Sequence, residues 1–235
     1  MRCFILLGTI VNAIAIIAGA LLGNFFKKGF PENIKTTVMH SLSLTVTLIG
    51  LSMALQTNNL LILTLSIVCG GILGEILKIE AGLNLLGTKL EQRFGGNDGN
   101  FTRAFVSASL IYCTGAMAIV GAIESGLTGN HNTLLVKSIL DGVLSIVIAS
   151  TMGIGVAFSA LPVFLYQGSI TIAAGLVKTL LTEAIIQEMT AAGGLLIVGI
   201  GINLFANKNL IRIGNLLPAI FVAIFFTLAS SRLPF

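Results

Sequence analysis

Long apolar runs separated by short polar breaks govern the reading of this chain. The runs fall near residues 4–26, 38–56, 59–78, 102–124, 134–160, 162–181, 187–206 and 209–231. Each is near the ~20 residues that a helix needs to cross a bilayer core. The pattern predicts an all-α, polytopic transmembrane bundle of about eight spans, forming a single transmembrane domain over 1–235. The clearly polar stretch is "KLEQRFGGNDGNFTR", 89 to 103, where Gly95, Gly96 and Gly99 with Asn97 and Asp98 predict a flexible turn between spans. "FPENIKTTVMHSL", 30 to 42, is half apolar with Pro31 and Glu32 at its start, and reads as an interfacial, amphipathic entry to the second span.

Composition agrees. Of the 235 residues 55% are hydrophobic and 9% charged, with a mean hydropathy of +1.02, against roughly 25% charged in soluble domains. The first run continues too far before Lys27 and Lys28 for a cleaved leader and reads as a retained span. A net charge of +4 does not point to nucleic acid, because the basic residues are scattered through short loops. They report topology instead. With eight spans and the 27–35 loop inside, nine basic residues (Lys27, Lys28, Lys35, Lys78, Lys89, Arg93, Arg103, Lys208, Arg212) lie inside. Four (Arg2, Lys137, Lys178, Arg232) are outside or embedded, which puts both termini outside.

Catalysis finds no support. Cys3, Cys69 and Cys113 lie in apolar sequence without metal or redox spacing, and His40 and His131 are isolated. No nucleophile and base come together, so neither an enzyme, a metal site nor a cofactor is expected.

A faint internal repeat changes the picture more. "LIGLSMALQTNNL", 48 to 60, matches "GIGINLFANKNL", 199 to 210, with Gly50 over Gly201, Ser52 over Asn203 and Asn59 over Asn209; Glu32 sets over Glu183. Helix triplets 4–78 and 162–231 then form candidate repeats around central helices 102–160. Since the two would enter from opposite sides, the repeat would be inverted, as in many secondary transporters. Glycine clusters in "CGGILG", "AAGGLL", 191 to 196, and "CTGAMAIVGA", 113 to 122, mark either close helix packing or broken helices that free backbone groups for a solute.

Polar residues within the spans discriminate further. Lys137 and Asp141 lie four apart and share a helix face, where they can pair. Lys137 can snorkel to the outer interface, leaving Asp141 the deeper group. Glu124, at a helix C-terminus that disfavours an anion, calls for a cationic partner, and Lys137 is the nearest in sequence. Gln167, Asn203 and Asn215 are amides in or near apolar helices and either tie helices together or line a pathway. Pro218 should free a carbonyl near Gly214 beside Asn215. Asn12, Ser43, Thr45 and Thr47 carry weaker versions of the same argument, and Glu75 reads as a solvated helix end.

The ordered segments "CTGAMAIVGAIESGLTGNHNTLLVKSILDG", "GIGVAFSALPVFLYQGSIT", "GGLLIVGIGINLF" and "IRIGNLLPAI", with the early "GTIVNAIAIIAGALLG", resemble the hallmarks of the uncharacterised bacterial YqgA/YdfK-like integral membrane family, domain of unknown function 554. The resemblance implies a multi-pass protein of a bacterial cytoplasmic membrane and no established activity. The residues themselves suggest a small secondary transporter or permease for an unidentified small solute or ion. Asp141, Gln167, Asn203 and Asn215 would form the site, with Lys137 and Glu124 as gating or coupling charges. A channel-like pore, or a non-transporting scaffold or assembly protein, is the alternative. The expected partners are the lipid bilayer, the solute and a second copy of the chain as a homodimer.

Overall fold

A computed structural model describes residues 5–27, 32–94 and 100–230. The described residues form helices and turns without a strand. In chain order the helices are α1 (Leu7–Lys27), α2 (Glu32–Ala54), α3 (Leu60–Leu77), α4 (Ile79–Phe94), α5 (Phe101–Cys113), α6 (Ala116–Thr128) and α7 (Asn132–Met152). A short 3-10 helix (Ile154–Ser159) follows, then α8 (Ala160–Ile172), α9 (Ala174–Leu180), α10 (Glu183–Ala206), α11 (Ile213–Leu216) and α12 (Pro218–Ser230). Among the described residues seven helical stretches are long and apolar enough to cross a membrane, two of them running through adjoining helices (Gly155–Ile172 and Ile213–Ser230), and an eighth span results if α5 and α6, bent by 59°, count as one. Large apolar side chains face outward, among them Phe25 at 77% and Ile139 at 68% exposure. Such a surface suits lipid, where helix association rests on packing and not on hydrophobic burial. The chain is a multi-pass membrane protein.

Tertiary contacts divide it into two compact units, residues 1–38, 85–113 and 117–180, and residues 39–84, 114–116 and 181–235. In the first, glycines set the helix register. Gly8 lies against Leu134, Gly19 against the Gly142 carbonyl and Gly23 against the Ile146 carbonyl, so α1 and α7 run parallel at backbone contact distance. A Cβ at Gly19 or Gly23 would collide with main chain. α8 runs antiparallel to α1: Leu6 reaches Gly168, while Ala13 and Ile17 face Ala157, Leu161 and Phe164.

In the second unit α10 is buried along most of its length. α2 crosses it where Gly50 meets Gly194, and α3 meets α12 where Gly70 lies against Ala219.

Several boundaries differ from the hydropathy pattern. The run 134–160 is not one helix: α7 ends at Met152, because Gly153 takes φ +93° and turns the chain into the 3-10 segment. The run 162–181 is interrupted at Ala173, between α8 and α9. Hydropathy did not anticipate α4, a helix of mixed polarity that follows Lys78 in the left-handed conformation. "AAGGLL" is continuous helix within α10, so its glycines serve packing: Gly193 admits Thr114 and Gly194 admits Ala54. "CTGAM", by contrast, does break, at Thr114–Gly115. The Gly214 carbonyl is not freed by Pro218, for it accepts the Leu217 N–H at 3.2 Å. The turn expected at Gly95 to Gly99 lies outside the described residues, as do the side chains of Lys27, Lys28, Glu32 and Lys35.

Candidate functional site

Three helices of the first unit bring polar groups into one buried cluster. Asp141, close to the middle of the 21-residue α7, takes the Lys137 ammonium from one turn earlier on the same helix. Asn12 of α1 donates through Nδ2 to Asp141 Oδ2 at 3.0 Å and to Gln167 Oε1 of α8 at 3.3 Å. Asn12 and Gln167 are wholly buried, and Lys137 and Asp141 keep only 5% and 6% exposure. Lys137 therefore does not snorkel to an interface. Its Nζ lies 5.9 Å from the centre of the Tyr112 ring, whose hydroxyl shares a 2.8 Å hydrogen bond with Ser145.

Burying two opposite charges is tolerable only when each is compensated, and here the pair and the Asn12 amide provide that compensation. Four buried polar atoms on α1 and α8 have none. Thr9 Oγ1, Asn12 Oδ1, Gln167 Nε2 and Thr171 Oγ1 are buried without a hydrogen-bond partner. Most buried polar atoms in proteins are paired, and these four lie on two helices, α1 and α8, that meet at the Asn12–Gln167 hydrogen bond.

The six residues singled out in the sequence are not all here. Lys137, Asp141 and Gln167 converge; Glu124 does not join them. Its carboxylate accepts from Asn130 Nδ2 at 2.8 Å and Thr133 Oγ1 at 2.7 Å, and it fastens the turn between α6 and α7 without pairing with Lys137. The anion finds amide and hydroxyl donors in the turn that follows it, so no cation is required.

Asn203 and Asn215 belong to the other unit and serve turns there. Asn203 donates to the Ile211 carbonyl at 2.8 Å and accepts the Ile211 N–H at 2.9 Å, which folds residues 207–212 back on α10. Asn215 Oδ1 accepts the Glu80 N–H at 2.8 Å, and its Nδ2 donates to Glu75 at 2.6 Å; Glu75 also pairs with the exposed Arg212 at 2.9 Å. Ser43, Thr45 and Thr47 bond carbonyls of their own helix.

Two residues mattered more than their sequence suggested. Asn12, only a weak candidate, connects three helices. Glu188 on α10 is 3% exposed and accepts from Thr57 Oγ1 (2.6 Å) and from the N–H groups of Asn58 (2.9 Å) and Asn59 (3.2 Å), clasping the α2–α3 turn. Its signal was an acid inside the apolar stretch that begins at Ala184. Among the described residues no group of three or more His, Cys, Asp or Glu could hold a metal ion.

A family model described as protein of unknown function (DUF554) matches residues 7–228. The chain belongs to the DUF554 family. Similar to this DUF554 chain over nearly its whole length are the uncharacterized membrane protein YdfK of Bacillus subtilis, 32% identical over 92% of the chain and 93% of the relative, and the uncharacterized protein YqgA of Escherichia coli, 28% identical over 92% and 94%. No solved structure matches it.

Proposed function

We propose that the protein is a small secondary transporter or permease of the bacterial cytoplasmic membrane, built from inverted repeats. One observation carries the reading: a reciprocal contact between α2 and α10. A Cβ on Gly50 would lie 2.7 Å from the Gly194 oxygen and 2.6 Å from the Val198 nitrogen; a Cβ on Gly201 would lie 3.0 Å from both the Ser43 oxygen and the Thr47 nitrogen. Gly201 follows Gly50 by 151 residues, as Gly194 follows Ser43 and Val198 follows Thr47. Any antiparallel helix pair exchanges its contacts in this way; what favours a repeat is that both close approaches fall on glycines, Gly50 and Gly201, and that these are the residues aligned in the sequence match. Because the later end of each helix meets the earlier part of the other, they run antiparallel. A two-fold relating two antiparallel helices runs across them, which is the arrangement that an inverted repeat requires.

The second support is the cluster around Asp141. Ionisable groups within a span are costly and mark pathways when they face a bundle interior, and this buried pair meets Asn12 of α1 and Tyr112 of α5, with Gln167 of α8 bonded to Asn12. Bacterial relatives support the location. The test is solute and charge movement in proteoliposomes of the purified protein, scanned over small ions and organic solutes, with Asp141→Asn beside the wild type. The expected result is a flux in the wild type that Asp141→Asn removes. A flux untouched by that change would overturn the site, and no flux under any gradient, with both proteins folded, would overturn transport.

A further inference from the structure

We propose that the Asn12–Asp141–Gln167 cluster binds a small zwitterion of the amino-acid type, which opens the Lys137–Asp141 pair and takes both of its charges. The inference rests on the transporter reading and names its substrate class.

Geometry places the unused groups together. Thr9 lies one turn before Asn12 on α1, and Thr171 one turn after Gln167 on α8. Since α8 runs antiparallel to α1, the two hydroxyls flank the Asn12–Gln167 contact on the same side. Together with the two amides they form one polar layer, each residue at least 98% buried.

The free atoms are of mixed character. Asn12 Oδ1 accepts, Gln167 Nε2 donates, and the hydroxyls of Thr9 and Thr171 do either. A bare cation would face the Gln167 donor, and a bare anion would face the Asn12 acceptor. Charge narrows the choice further. The cluster carries one ammonium and one carboxylate already paired, so a ligand with net charge would leave that charge uncompensated in a low-dielectric interior. The ligand should therefore be neutral overall.

An uncharged solute such as urea meets that condition but makes no use of the ion pair. A zwitterion uses all of it. Its ammonium would go to Asp141 and Asn12 Oδ1, its carboxylate to Lys137, Gln167 Nε2 and a threonine hydroxyl. Two positive and two negative charges then alternate, the site stays neutral, and no bond or proton is transferred. In the structure the pair is closed on itself, so a ligand would have to displace it.

Analogues of stated charge test this on the full-length protein purified in detergent, by thermal unfolding followed by circular dichroism and by equilibrium binding. The probes are glycine, alanine and serine, their methyl esters (cations), their N-acetyl derivatives (anions), urea, and sodium and potassium chloride. At least one free amino acid should stabilise the wild type, and its ester and N-acetyl forms should not. Lys137→Gln should reverse this preference in favour of the ester, and Asp141→Asn in favour of the N-acetyl form. Thr171→Val, which keeps shape and charge, should weaken amino-acid binding about threefold to tenfold; it provides the test if the charge variants fail to fold.

Stabilisation of the wild type by the salts, esters, N-acetyl forms or urea in place of amino acids, or by none of the probes, would overturn the proposal. Asp141-dependent flux of another solute would then leave transport standing without this class. Amino-acid binding with no flux in proteoliposomes would keep the site and remove the transporter.

Discussion

Lys137, Asp141, Asn12 and Gln167 behave as one electrostatic unit, so their substitutions should not be additive. Lys137→Met alone leaves the Asp141 carboxylate buried without its cation and is expected to cost about 3–5 kcal/mol, whereas Lys137→Met with Asp141→Leu should regain most of that. Unfolding free energies in detergent for the two singles and the double check this. The pair itself was legible in the sequence, because a spacing of four on a helix needs no tertiary knowledge. Its partners were not. Asn12 is 129 residues from Asp141, and Gln167 is 155 from Asn12, so only the fold reveals which amides meet the charge and which, like Asn203 and Asn215, are spent on turns. Glu124 shows the same limit: a carboxylate at a helix C-terminus favours a cation, yet the neutral donors of the next turn, Asn130 and Thr133, meet the need.

At the scale of the element, glycines fall into distinct kinds that one series of alanine substitutions separates. Gly19→Ala and Gly23→Ala push a methyl into the main chain of α7 and should destabilise by about 1–3 kcal/mol. Gly82→Ala in α4 meets nothing within 4 Å and should be neutral or slightly stabilising, by up to about 1 kcal/mol, since alanine favours helix. Gly153→Ala should destabilise because φ +93° disfavours a side chain. Melting temperatures across the series check all four. The spans were legible as runs of bilayer length. Their interruptions at Gly153 and Ala173 were not, because apolar residues continue through both and the lipid-facing signal does not lapse when the backbone turns. α4 leaves no such run, because its polarity is mixed.

The whole molecule poses a question of direction. If the segments around Gly50 and Gly201 are inverted copies, the turns that follow them open on opposite sides of the membrane. A cysteine at Asn58 should then be labelled by a membrane-impermeant thiol reagent from outside, and one at Lys208 only from inside, in a background lacking the native cysteines. Labelling of both from one side would contradict inversion. Part of this was legible: the match of Gly50 with Gly201 is visible in the chain, but the reciprocal contacts with Ser43, Thr47, Gly194 and Val198 appear only once α2 and α10 cross. Most direct of all is flux through proteoliposomes holding wild type or Asp141→Asn, measured for small ions and solutes under imposed gradients. Wild-type flux that vanishes with Asp141→Asn in a folded protein is the predicted result, and equal flux, or none in either, contradicts a transport site at Asp141.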